Sequence, residues 1–425
     1  MLSTDLSNVW CKVSLPTLLE EERKIFDAHL VLGGGRQKLG GWLSFLERED
    51  PSRPKWLEDV LSLAESVKAH SRYLVVVGGG LTALGARGLV ELSPPPGGVK
   101  LLFCGDDYAE STWKSLENTL LDNAFSVLAI SPSGEDLGVL IALRSLRRML
   151  EASCEEHPQE RIFVSAPEDS SLGKVALAEE FALLPLLSTP DGENSVLNPA
   201  GLFLLHTAGF RVKELCRGAA MALEELDLRS FENPLWLYVG ARVALAKQGY
   251  FKETLCLTRP EEEAFGLWWK CLMQSALGAD AGYASWDCTV LPRDLSRRGG
   301  SLFAKGSFLT FFRLPGEGNP MPVEMDWKDA DGLNCLSGKK FSHVSDALLT
   351  ATELLLSQKQ VPTLSLDADE HQGEETMGKL LVFFELSAAL LAKTWGHSPF
   401  HREEEESIFR RTDALLARDS SNSSI

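Results

Sequence analysis

Tyr73-Leu74-Val75-Val76-Val77-Gly78-Gly79-Gly80 is the stretch on which the fold turns. An unbroken apolar run, with no polar alternation, suits a strand buried on both faces of a parallel sheet. The glycines give a tight turn, and Leu84 to Leu92 continues as a helix. The alternation recurs downstream. Lys100 to Phe103 reads as a strand, with a helix from Ser111 to Leu121 behind it; Phe125 to Ile130 follows, with a helix from Leu137 to Cys154; Arg161 to Ser165 makes a fourth strand. Strands alternating with helices of this length predict an α/β fold with a doubly wound parallel sheet. Such sheets bind ligands at the carboxyl ends of their strands, so the loops after Val77 and Ile130 are the first places to look.

Working outward, the first 70 residues read as helical, with a Gly-rich interruption at Gly33-Gly34-Gly35 and a helix over Glu58 to Ala69. Beyond the first sheet, helices over Asn198 to Leu226 lead to a second α/β unit. Its strands are read at Lys252 to Leu257 and Val361 to Leu366, with a helix over Glu261 to Gln274. Trp286 to Gly332 is rich in Gly, Pro and Arg and gives little periodic signal. Helices over Glu375 to Thr394 and Glu403 to Leu416 close the chain before a loose tail, Ser420 to Ile425. The expected division is an N-terminal helical segment (1–70), a first α/β domain (71–195), a helical connection (196–230), a second α/β domain (231–395) and a C-terminal helix with its tail (396–425).

Composition narrows the function. The 425 residues are 44% hydrophobic and 24% charged, the balance of a globular protein. A formal charge of −18 argues against nucleic acid or an anionic membrane as partner. The most lipid-like stretch, Leu380 to Ala392, is short and holds Glu385, so a buried helix is expected there. The eight cysteines form no C-x-x-C pair, and the N-terminus lacks the pattern of a secretory signal, so a cytoplasmic location is expected. His397 and His401 have helical spacing, but Pro399 lies between them; no metal site and no cofactor is expected.

Several segments together resemble the glucose-6-phosphate isomerase family of bacterial type. Val75 to Leu89 is similar to the family's strand, G-x-G-G-S-x-x-G-A-R turn and helix, and Phe103 to Leu116 to its next strand and helix. Ser195 to Leu204 matches S-V-L-x-x-x-G-L, and Trp268-Trp269-Lys270, Phe383-Phe384-Glu385 and Ser398-Pro399-Phe400 follow in the family's order. Asn233-Pro234 through Ala246 also falls in place. The resemblance implies two sugar-isomerase-type (SIS) domains, a homodimer with shared active sites, and aldose and ketose hexose phosphates as ligands.

Aldose–ketose exchange moves a proton between adjacent carbons through an enediolate. It needs a carboxylate base, a cation on the enediolate oxygens, an acid/base group to open the ring, and donors for a phosphate dianion. The resemblance places a phosphate cradle at S-x-S-G-T-T, which here reads Ser131-Pro132-Ser133-Gly134-Glu135-Asp136. Gly80, Thr82, Ser133 and Gly134 are the remaining candidate substrate contacts. Glu135 and Asp136 replace the threonines; a like-charge contact at ~4 Å costs about 4 kcal/mol even at an effective dielectric near 20. Their ordinary reading is as helix-start acids. Glu193 stands where the family has its arginine, a place a solvated loop glutamate also fills. Ser275 and Leu277 stand at the two glutamates of G-E-S-E-G-K-D, Ser296 at the histidine of D-L-H-S, and Phe409 at the lysine of the last helix. Gly278 and Asp280 persist.

Three readings follow. The first is a family member without turnover, acting as a sugar- or partner-binding protein. The second is altered chemistry in the same cleft through Glu135, Asp136, Glu193 and Asp280. The third is an orthodox isomerase of glycolysis and gluconeogenesis, interconverting glucose 6-phosphate and fructose 6-phosphate.

Overall fold

The apolar runs become strands of two five-stranded sheets in a computed structural model of the chain. It describes residues 2–32, 56–105, 107–153, 157–187, 194–278, 284–315, 320–368 and 373–399, together with 408, 411, 412, 415 and 416. The first sheet has the order β3 (Lys100–Cys104), β2 (Tyr73–Gly78), β4 (Phe125–Ile130), β5 (Ile162–Ser165) and β6 (Ala182–Leu183), all parallel. β4 is buried at every position, and Val75, Val76 and Val77 of β2 are fully buried. Removing each such valine from water contributes about 1.5–3 kcal/mol.

The second sheet has the order β1 (Leu2–Asp5), β10 (Thr363–Ala368), β9 (Ser307–Arg313), β7 (Lys252–Leu257) and β8 (Ser285–Val290). Its strands are parallel except β1, which runs antiparallel to β10 along the edge. Helices therefore do not fill the whole start of the chain, as the sequence suggested. Four residues from the N-terminus complete a sheet made otherwise from residues beyond 250, and so short a strand carries no period of its own. β8 and β9 lie in the stretch that gave little periodic signal. The expected helix over Glu403 to Leu416 falls mostly outside the described residues, as do Gly33 to Gly35 and the tail from Ser420.

The two units meet through the helix that follows the glycine turn. Helix Gly80–Leu92 crosses helix Glu263–Leu277 closely enough that a Cβ on Gly88 would sit 2.9 Å from the Phe265 backbone. Only glycine lets the backbones approach this far. Helix Glu374–Thr394 supplies the second tie. Its Glu385 is fully buried and accepts hydrogen bonds from Ser195 Oγ (3.0 and 3.1 Å) and the Val196 N–H (3.1 Å). The lone acid in the lipid-like stretch thus holds the loop that joins the first unit to the next helix, Pro199–Ala208. Among the described residues, no helix is long and apolar enough to cross a membrane.

Candidate functional site

From β2 the chain steps outward to β3, then returns across β2 to β4, so the winding reverses between β2 and β4. Gly78 pairs with Ile130 there, which brings the two loops singled out from sequence together. In open α/β sheets a crevice at such a reversal is where a ligand is expected.

Gly78, Gly79 and Gly80 all have left-handed backbones, with φ of +69°, +91° and +45°. Gly80 is exposed and opens helix Gly80–Leu92. Thr82, expected to offer its hydroxyl to a ligand, turns it inward instead. Its Oγ1 donates to the Ser195 carbonyl (3.1 Å) and accepts from Asn198 Nδ2 (3.0 Å), and the residue is 1% exposed. That hydroxyl holds the Ser195–Asn198 loop, next to the bonds from Glu385.

On the other loop, Ser133 is exposed and Gly134 is buried. Gly134 has φ +68°, and a Cβ there would fall 1.9 Å from Ser170 Oγ, so no other residue fits. The two acids that follow are both engaged. Asp136 accepts a short hydrogen bond from Ser131 Oγ and a longer one from Ser133 Oγ (3.4 Å). Glu135 accepts from the Ser171 N–H (2.7 Å) and Ser171 Oγ (2.6 Å), at the first residue of helix Ser171–Ala178. These bonds, the hydroxyl first and then the N–H, lower the Glu135 pKa and keep it ionised. The donors an incoming dianion would want therefore already hold carboxylates of the chain itself. Glu135 caps a helix other than the one it precedes, a role the sequence did not reveal.

The remaining positions supply little proton chemistry. Ser275 and Leu277 end helix Glu263–Leu277, the leucine buried. Asp294, before Ser296, is tied into the end of β8, accepting from the Val290 N–H (2.9 Å) and from Arg293 Nε (3.0 Å, at its other oxygen). The arginine foremost holds its carboxyl well below the usual range. Ser296 is exposed. Glu193, Asp280, His401 and Phe409 lie outside the described residues. Among the described residues, no group of His, Cys, Asp and Glu could hold a metal.

Known proteins share this architecture. No protein-family model matches the chain. Glucose-6-phosphate isomerases of Staphylococcus aureus strains NCTC 8325 and Newman are each 29% identical to it over 406 residues, 92% of this chain and 89% of theirs. A solved structure described as a hypothetical protein of Thermus thermophilus matches with a TM-score of 0.82 at 20% identity, covering 98% of this chain and 100% of that one. A glucose-6-phosphate isomerase of Chlamydia trachomatis matches with a TM-score of 0.76 at 17% identity, covering 95% and 85%. These two likenesses carry the fold.

Proposed function

The chain is a relative of the glucose-6-phosphate isomerases in sequence and fold, and from that premise we infer that it keeps their architecture without their turnover and works by binding a sugar or a partner protein. The observation that carries this reading is the self-occupied anion cradle: Asp136 takes the Ser131 and Ser133 hydroxyls, and Glu135 takes the start of the next helix. A sugar phosphate would have to displace two carboxylates and then meet their charge. The proton carriers are replaced in parallel, with Ser275, Leu277 and Ser296 at three of their positions. No side chain of these three takes a proton from a sugar carbon or opens a ring as a base near neutral pH. The test is interconversion of glucose 6-phosphate and fructose 6-phosphate by the purified chain, with no enzymatic rate expected.

Glu135 and Asp136 give little support to altered carboxylate chemistry. A base must be free to accept a proton; Glu135 is held ionised by Ser171, and Asp136 already accepts from two serines. The orthodox isomerase reading loses the same ground.

The same reading includes the two SIS domains at 71–195 and 231–395, a cytoplasmic setting that suits the seven described cysteines, all free, and a homodimer. The dimer is supported by three exposed apolar side chains close in sequence on the second unit, Met321 (65%), Met325 (72%) and Trp327 (84%). Sedimentation velocity of the full chain is expected to give a dimer, and Trp327→Glu a predominantly monomeric species. A wild-type monomer at micromolar concentration would remove this part of the reading.

A further inference from the structure

The second sheet has its own reversal point. From β7 the chain steps outward to β8, then returns across β7 to β9, so the carboxyl ends of β7 and β9 flank a crevice of the kind found between β2 and β4. Here the crevice opens into a cavity of ≈ 840 Å³, walled by the ends of β7, β9 and β10 and by helix Phe341–Gln358. That volume lies within the range of about 300–1,000 Å³ typical of small-molecule sites. We propose that this crevice is a second ligand site, separate from the one between β2 and β4, and that it takes a neutral, polyhydroxylated small molecule.

Charge weighs against an anion. The two guanidinium groups of the lining are already matched by acids. Arg313 donates to Asp367 (3.0 Å) and to Glu353, and Arg259 pairs with Glu262 (2.9 Å). Asp346 adds another carboxylate to the lining. A phosphate or carboxylate ligand would have to compete with these acids for both guanidinium groups, although the buried Arg259 Nη2 makes no hydrogen bond among the described residues. A divalent ion is not favoured either, because Arg313 already sits between Asp367 and Glu353 as their counter-ion.

Hydrogen-bonding capacity decides for hydroxyls. Ser342, Ser345, Asp346 and Thr350 line the cavity from a single stripe of the helix, at i, i+3, i+4 and i+8. None of their side chains bonds to another described residue, so hydroxyl donors and a carboxylate acceptor stand available along one wall. Burial pushes the Glu353 pKa up, opposed by Arg313 and helped by Asp367 and Asp5, and its carboxyl stays bonded to Arg313. Leu314 and Pro315 add apolar surface to the lining, as do Leu349 and the half-exposed Phe341 of the helix itself. A sugar or polyol matches such a lining, with C–H faces on the apolar residues and hydroxyls toward the serines.

The experiment titrates glucose, sucrose and glucose 6-phosphate separately into the full chain by calorimetry, using wild type, Ser345→Trp and Ser133→Trp. Ser345→Trp fills this crevice, and Ser133→Trp fills the cleft of the first sheet. Thr350→Trp serves if Ser345→Trp lowers the urea midpoint. The proposal expects at least one uncharged sugar to bind wild type and Ser133→Trp equally, and at least ~10-fold more weakly to the crevice-filled variant. It expects glucose 6-phosphate to bind this crevice more weakly than glucose. Equal sugar affinity in wild type and the crevice-filled variant would overturn it. So would loss of binding in Ser133→Trp alone, or no binding of either uncharged sugar at 100-fold the protein concentration and up to ~100 mM.

Discussion

Replacing Glu135 and Asp136 together by threonine is expected to raise the affinity of the first-sheet cradle for phosphate. The substitution frees the Ser131, Ser133 and Ser171 hydroxyls and the N–H at the start of helix Ser171–Ala178, all of which now serve carboxylates. It also removes two negative charges from the edge of the cradle. Each contact at ~4 Å is worth about 4 kcal/mol at an effective dielectric near 20, and solvent at this open edge screens much of it. A gain of at least ~10-fold in affinity for inorganic phosphate is therefore expected, read by calorimetry at low salt. The variant will still not isomerise glucose 6-phosphate, since Ser275, Leu277 and Ser296 are unchanged. Binding restored without turnover separates the two losses. Equal phosphate affinity in wild type and variant would show that the acids do not occupy the anion site.

The second large effect is on stability. Glu385 is fully buried, and burial raises its pKa from 4.5 to about 8, against the bonds from Val196 and Ser195. Near neutrality it is mostly protonated: one oxygen can donate to Ser195 Oγ while the other accepts from the Val196 N–H. The unfolded chain releases that proton at ordinary carboxylate pH. Between about pH 4.5 and 8 the native state thus binds the extra proton, and stability falls as pH rises through this window, then levels off above it. A shift of this size corresponds to on the order of 5 kcal/mol, most of it between pH 5 and pH 8. Glu385→Gln keeps the shape and both bonds but does not titrate. Its stability relative to wild type should therefore rise by that order from pH 5 to pH 8, measured as urea unfolding at each pH. Parallel pH dependence in the two proteins would contradict the assignment.

How much of this could be read in the sequence depends on how far each residue reaches for its partners. β2 and β4 were legible because strands buried on both faces need no alternation, and their apolar runs end in glycine or serine turns. The crevice between them followed from the winding. β1 was not legible, because its pairing with β10 spans 360 residues or more and only four residues take part. The inward bonding of the Thr82 hydroxyl was not legible for the same reason. Where a hydroxyl points is set by Ser195 and Asn198, more than 110 residues onward, and nothing local signals them. Glu135 is an intermediate case: an acid at a helix start was expected, but the helix it caps begins 36 residues later. Glu385 was visible as one charge in an apolar run, and only its partner was hidden. The crevice of the second sheet stayed out of view because β9, which forms one of its walls, lies in a stretch dominated by Gly, Pro and Arg.

The central claim, a sugar-isomerase architecture without proton transfer, is tested most directly by supplying fructose 6-phosphate to the purified chain and following glucose 6-phosphate formation with a coupled dehydrogenase. The account predicts a rate indistinguishable from the enzyme-free control. Turnover in the ordinary enzymatic range of about 1–10³ s⁻¹ would contradict it.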